Sequence, residues 1–423
     1  MGFRKIMRFK ELDNQLDQWE EFVETNELGN FGQSSCQFEL LLSRGRKAKV
    51  FGVVNDTDEI LAGGVVNWDP TKLGYKYSLD YGPIVKDWAD KDALQCFFDG
   101  LVQYAKHNKG LYLSVSPNAI YQEFDNDGQP ICTPKKQIFD TMCSLGFTHE
   151  PFKYGMQDTG VTVWQYVKKI DGQTYPEIAK SYHKMAKQYL KKNKLYQVNV
   201  RELSREELPM FKQIIDDTAE RRHFLSKDLI YFETAYDKFQ DRIKFVVAEV
   251  CFSKYIQVAT DKLEKANRDI DKLQQKRETA ANKTRIDKQL SELFKQRENH
   301  KVRIEHGKQM RIHAGKDVIP VAAAMFIIMP QETDYLFSGS YEEYSEFYAP
   351  YQIQDYMLQI SQKLGVKTYN FLGIDGKFDG TDGVLKFKTQ FEGVAQQLIG
   401  TFDIPVNKFK YNMYIKLKKL IAR

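Results

Sequence analysis

The sequence predicts an α/β protein, α+β in detail, built from a duplicated unit with an antiparallel helical hairpin inserted into the second copy. Three features point there. A strand, strand, helix, strand pattern occurs twice in the same order. A long segment without Pro interrupts the second copy, and that segment repeats apolar residues at heptad spacing.

In the first copy, KVFGVVND and ILAGGVVNW read as paired strands around the turn NDTDE. The glycine-bearing segment YSLDYGPIV follows. Leu94, Phe97, Phe98, Leu101, Val102 and Ala105 then fall on one helical face, and GLYLSVSP reads as the next strand. In the second copy the corresponding pieces are the strands PVAAAMFIIM and TDYLFSGS, the helix YQIQDYMLQISQKLG and the strand VKTYNFLGI. The inserted segment carries Phe252, Ile256, Ala259, Leu263, Ala266, Ile270 and Leu273 at steps alternating between four and three. Ile286, Leu290, Leu293 and Ile304 continue the seam loosely. The polar stretch ETAANKT between the runs is the expected reversal. The expected division is 1–155 for the first unit, 156–251 with 312–400 for the second, and 252–311 for the arm. Residues 401–423 form a basic C-terminal segment packing on the body.

Composition sets limits on partners. Hydrophobic residues make up 42% of the 423 residues and charged residues 28%. No apolar run approaches the roughly 20 residues of a membrane span. The N-terminus has no apolar signal core, and Ile6 breaks the myristoylation pattern that Gly2 would begin. Five scattered Cys without a CxxC pair, and seven His without HExxH spacing, predict a reducing compartment and no metal. The expected location is the cytoplasm. Between Lys254 and Arg311 there are 16 Lys/Arg against 9 Asp/Glu, a net of +7. The remainder holds 46 against 48, a net of −2. The basic arm therefore expects a polyanion. A second basic stretch, SYHKMAKQYLKKNKLYQVNVREL, crowds Lys187, Lys191 and Lys192 onto a predicted helix suited to phosphate contacts. The tail KFKYNMYIKLKKLIAR is amphipathic and basic. It is suited to peripheral contact with an anionic membrane face or to capping a core.

The order of short motifs resembles the Fem family of peptidoglycan bridge-forming aminoacyltransferases, the FemA/MurM group. The carriers are FGQSSCQFELLLSRG, YSLDYGPIVKD, LYLSVSPN, the basic helix leading into VNVRELSREELPMFKQIIDDTAERRHF, the heptad arm, and YNFLGIDGKF followed by GVLKFKTQFEG. The resemblance runs almost end to end. It implies two tandem acetyltransferase-like (GNAT-like) subdomains, aminoacyl-tRNA as donor, a lipid II-type muropeptide as acceptor, and no cofactor. The arm is similar to the tRNA-binding arm of seryl-tRNA synthetase, which makes Lys262, Lys265 and Lys272 expected tRNA contacts beside Lys187, Lys191 and Lys192. The exposed seam leaves room for a homodimer or a complex with related Fem-like chains.

An aminoacyl ester is already activated, so the chemistry needs positioning and oxyanion stabilisation rather than a covalent nucleophile. No GxSxG or Ser-His-Asp pattern is present. The resemblance implies that Phe387 and Lys388 bind phosphate or stabilise the reaction. Read as a strand, GVLKFKTQF would put Lys386 and Lys388 on one face, with Lys386 beside the acceptor. Lys227 and Tyr231, four apart on an expected helix, correspond to an Arg and Tyr that contact the sugar-phosphate part of the acceptor. Arg222 is placed to compensate for the missing guanidinium. Phe38 is the matching aromatic of the acceptor groove. The sequence departs from the family pattern at Tyr81 (Arg is common), at Leu41 (a family Lys) and at Ser116, which stands where the family has an Asp proposed as base. Two other readings stay open. An acyl-CoA-dependent N-acetyltransferase would need a Gly-rich R/Q-x-x-G-x-G/A turn, which is missing. A non-catalytic RNA-binding coiled-coil protein would not need Lys388 or Tyr231.

Overall fold

A computed structural model describes residues 7–155, 160–280 and 283–421. The strands of the first half are β1 (Arg8–Glu11), β2 (Lys47–Val54), β3 (Ile60–Thr71), β4 (Gly74–Tyr81), β5 (Ile84–Val85), β6 (Gly110–Pro117), β7 (Ile120–Phe124) and β8 (Thr148–His149). Those of the second half are β9 (Trp164–Lys169), β10 (Val198–Glu202), β11 (Ile243–Cys251), β12 (Val318–Ile328), β13 (Glu332–Ser340), β14 (Thr368–Gly373), β15 (Val394–Leu398) and β16 (Phe402–Pro405).

They form two mixed sheets. One runs β1-β2-β3-β4-β6-β16-β8, with β5 on β3, and the other runs β10-β11-β12-β13-β14-β9-β15-β7. Each sheet contains one parallel pair among the described residues, β4 with β6 and β13 with β14. A parallel pair needs a crossover, and in each copy a helix supplies it. Lys91–His107 buries Leu94, Phe97, Phe98, Leu101 and Ala105, and Asp90 caps it by accepting from Ala93 N at 3.0 Å. Ala349–Lys363 buries Ile353, Met357 and Leu358. The fold class and the repeated order expected from the sequence are both present.

The sheets interlock across the boundaries expected at 155 and 400. β7, from the first half, closes the edge of the second sheet on β15. β16, from the C-terminal segment, inserts between β6 and β8 of the first. The segment from 401 therefore begins as a strand and then becomes the helix Lys408–Ile421. Helices Ser35–Ser43, Leu208–Arg222 and Leu229–Phe239 share one core with both sheets. Phe38, Val50 and Val65 lie in the same cluster as Phe211, Phe232, Phe245 and Met325.

The arm is two helices, Phe252–Thr279 and Lys283–Ala314. Phe252, Ala259, Ala266 and Ile270 are buried on the expected seam; Phe252 joins the core of the second half, and Ile270 packs with Ile286 and Leu290. Gly307 permits a close approach, because a Cβ there would stand 2.8 Å from Ile256 Cγ1. The reversal within ETAANKT falls partly on 281–282, outside the described residues, as do Gly2 and Ile6.

Two local expectations are corrected. GVLKFK is a helix, Gly383–Lys388, and not a strand. Asp382 accepts from Val384 N at 2.7 Å and starts it. Two residues apart on a helix is about 200°, so Lys386 is exposed while Lys388 is buried. Lys227 precedes the helix Leu229–Phe239 rather than lying on it, because Asp228 is its N-cap. The ammonium still reaches Tyr231, 5.7 Å above its ring, with the Arg44 guanidinium 5.9 Å away.

Candidate active site

The ladder between β13 and β14 lasts only three residue pairs, Glu332 with Thr368, Thr333 with Tyr369 and Asp334 with Asn370. Beyond Asp334 the strands part, although β13 continues to Ser340 on the β12 side. The opening is lined by polar groups that a sheet interior would ordinarily exclude. Asn30 donates to Glu332 Oε1 at 2.7 Å and Asn370 to Oε2 at 3.0 Å. Asp334 is fully buried and neither carboxylate oxygen has a hydrogen-bond partner. Burial pushes both carboxyls above the usual range, Asp334 further, because Glu332 repels its charge.

Lys388 sits on the other side of the opening. Its ammonium donates to Leu372 O at 3.0 Å and Gly373 O at 2.5 Å, where β14 has already left β13. Asn370 Oδ1 accepts from Leu372 N at 2.8 Å and so ties the lysine's anchor to the Glu332 network. Leu372 holds a positive φ of 55°, a strained backbone of the kind that gathers at functional sites. Burial lowers the Lys388 pKa to about 7, with Asp382 opposing. Two of its three N–H groups are used, which leaves one to donate. Phe387 packs edge-on against Tyr351 and Phe391, with ring centroids at 5.0 and 5.7 Å.

A cleft of about 590 Å³ opens on the first sheet. It brings Ser116 and Lys227 together, two of the residues expected from the sequence, with Lys76 and Lys418. Ser116 Oγ hydrogen-bonds Thr401 Oγ1 at 2.9 Å, a hydroxyl pair rather than a carboxylate base. Arg46 and Lys153 also line it but are paired with Asp69 and Glu150. Lys76, Lys227 and Lys418 have no ion pair among the described residues. Asp80 lines this cleft, and the next residue, Tyr81, turns toward the strand opening. The Tyr81 hydroxyl meets the Thr162 backbone, between the cleft residues Val161 and Val163. Burial, then Asp334 and Glu332, push its pKa up. Tyr81 also has a positive φ, 59°. Cleft and opening thus meet at Tyr81.

Other expected residues lie elsewhere. Phe38 is in the core and presents almost no surface, so it does not line the cleft. Arg222 is exposed at the end of its helix, and Lys386 is exposed. On the basic helix Lys184–Tyr196, Lys191 is exposed and has no ion pair among the described residues. Lys187 donates to Lys180 O, and Lys192 lies 4.6 Å over the Tyr348 ring. On the arm, Lys265 and Lys272 are exposed, but Lys262 is half-buried, its pKa lowered by burial and by Arg303. No group of three His, Cys, Asp or Glu side chains among the described residues would hold a metal. The carboxyl pair escaped the sequence reading. The available signal was a charged residue two positions from another in a strand, QETDYLF, whose faces are both covered.

Comparison with known proteins places this architecture. The profile of the FemAB family matches residues 15–419. The chain belongs to the FemAB family. Aminoacyltransferase FemA of Staphylococcus aureus (strain bovine RF122 / ET3-1) is 29% identical over 407 residues, 95% of this chain and 96% of that protein. The FemA of strain N315 matches at the same identity and coverage. The crystal structure of FemX shares the fold, with a TM-score of 0.78 at 20% identity, covering 96% of this chain and 99% of FemX. Membership of the FemAB family makes the chain an aminoacyltransferase, the enzyme class expected above. No helix among its described residues is long and apolar enough to cross a membrane.

Proposed function

We propose that this FemAB-family enzyme transfers an amino acid from aminoacyl-tRNA to a peptide amine of a lipid II-type precursor, building the peptidoglycan bridge. The observation that carries this reading is the meeting, at Tyr81, of a cleft with three unpaired lysines and a strand opening that holds a lysine and a carboxyl pair. A pyrophosphate-bearing acceptor fits the cleft, because Lys76, Lys227 and Lys418 supply the charge. The aminoacyl ester fits the opening, where the free N–H of Lys388 donates to the developing oxyanion. The amine forms the new C–N bond as the ester C–O bond breaks, and the amine's proton ends on the departing ribose hydroxyl. The Asp334 and Glu332 carboxyls beside the opening relay it between the two. The free lysines Lys191, Lys265 and Lys272 suit the tRNA backbone.

The test is transfer of radiolabelled Gly, Ala and Ser from charged tRNA to lipid II, with and without Lys388→Ala. Label on the lipid that disappears in the variant is expected. Failure of every donor on both plain and singly extended lipid II would overturn the reading.

A further inference from the structure

The C-terminal helix Lys408–Ile421 has two faces with different chemistry. On one, the Tyr411 and Tyr414 rings lie 5.1 and 6.0 Å from Tyr112 of β6, and the Tyr411 hydroxyl donates to Asp403 at 3.2 Å. Lys418 on this face lines the cleft. On the other face, Phe409, Met413 and Leu417 are 79%, 40% and 39% exposed. Their spacing of four makes a single stripe about 80° wide. Solvent contact over such a stripe on a helix that is already docked is unfavourable unless something covers it.

Beside the start of this helix lies a hollow of about 720 Å³. Its cations are Lys72, Lys106, Lys109, Lys408 and Lys410, with no carboxylate in the lining. None of the five forms an ion pair among the described residues. Lys72 comes from the β3–β4 turn, Lys106 from the last turn of the crossover helix Lys91–His107, and Lys109 from the turn that follows it. Three separate elements thus bring cations to one place, where they repel each other without an anion.

We propose that this hollow and the exposed stripe together form a docking surface for an anionic lipid bilayer. A bilayer supplies phosphate headgroups for the lysines and an acyl layer for Phe409, Met413 and Leu417 at once. A nucleic acid supplies only the phosphates, and aliphatic Met and Leu gain nothing from its sugar edge. The far end of the same helix reaches the cleft through Lys418, so docking sets the cleft mouth at the membrane surface. Lys227, also in the cleft, sits in a loop whose Leu225 is 92% exposed. The geometry stands alone, but its purpose rests on the lipid-linked acceptor proposed above.

The experiment is sedimentation of the full chain with vesicles of equimolar phosphatidylglycerol and phosphatidylcholine, and with phosphatidylcholine alone. Neither tRNA nor lipid II is present, so the result is independent of the transfer reaction. Binding to the anionic vesicles only is expected. Lys72→Gln/Lys106→Gln/Lys109→Gln should lower it about a hundredfold, several-fold per lysine. Phe409→Ser/Met413→Ser/Leu417→Ser should lower it at least tenfold. Both variants alter exposed side chains and should melt like the parent. Equal binding to both vesicle types, no binding, or unchanged binding by either variant would overturn the proposal. So would a lysine variant that loses affinity for uncharged tRNA but keeps its affinity for vesicles, which would make the hollow a nucleic-acid site.

Discussion

Replacing Lys388 with Met should change stability in a pH-dependent way whose sign the burial of the ammonium fixes. An ordinary lysine titrates near 10.5, and burial brings Lys388 to about 7. Between those values the unfolded chain holds a proton that the folded chain has released. Stability therefore rises with pH through this window, by about 1.4 kcal/mol per pH unit and about 5 kcal/mol in all. The figure is an upper bound, because the two carbonyl hydrogen bonds favour the charged form. At low pH the wild type bears the full desolvation cost of the ammonium. Met removes that cost but leaves Leu372 O and Gly373 O unpaired, at about 1–3 kcal/mol each. The two nearly cancel below about pH 7, so the variant is tolerated best there. As pH rises toward about 9, the wild type sheds its penalty and the variant does not follow. Urea unfolding of both proteins near pH 6, 7.5 and 9 measures the difference. It should grow in favour of wild type by about 2–3 kcal/mol across that range. A difference that is constant, or that shrinks with rising pH, would refute the burial argument. At pH 6, where Lys388 is charged, the transfer rate of the variant should fall about 100- to 1000-fold, in kcat rather than KM, and the gap should narrow toward pH 9 as the wild type loses the N–H that meets the oxyanion.

Asp334→Asn should stabilise the protein near neutral pH. The folded carboxyl keeps a proton that the unfolded chain loses just above its ordinary value, so the wild type weakens as pH rises, and the gain from Asn should vanish near pH 4 in thermal melts. Lys227→Ala should raise the acceptor KM about tenfold in steady-state assays and leave kcat nearly unchanged, since the ammonium stands in the cleft and away from Lys388. Deleting 253–311 with a short linker should leave the body folded, because the arm's distal contacts are its own seam, and should raise the tRNA concentration needed for half-maximal transfer. Unchanged transfer at limiting tRNA would remove the arm from donor binding.

The architecture was legible where period and length speak clearly. The heptad steps from Phe252 to Leu273 gave the arm, and the repeated element order gave the two sheets with their crossover helices. Short segments were not legible. IYQEF and FDIP are too brief for a periodic signal, and nothing local says that each completes the opposite sheet. LKFK reads as alternation or as helix with equal ease over four residues, and the Asp382 cap decides it. Site residues follow the same division. Ser116 lies near the end of a recognisable strand and Lys227 just ahead of a recognisable helix, and the cleft brings them together. Glu332 and Asp334 were missed because a carboxyl in a covered strand has meaning only when the neighbouring strand leaves it.

That departure is also what separates the two copies. In the first sheet the parallel pair β4 and β6 stays in register from Lys76 to Tyr81, opposite Pro117. In the second the equivalent pair ends at Asp334. The same strand-helix-strand unit is thus closed in one copy and open in the other. Opening a ladder exposes backbone groups that must find partners, and Lys388 provides them for Leu372 and Gly373. An ammonium serving two carbonyls in a buried gap satisfies the sheet and keeps one N–H in hand. The interlocking of β7 and β16 then fixes the closed copy's cleft against the open copy's gap. Tyr81, held at positive φ, lies at the contact. Under the proposed function, the two halves of the duplicated fold take different tasks, one holding phosphate and the other handling the reacting carbonyl.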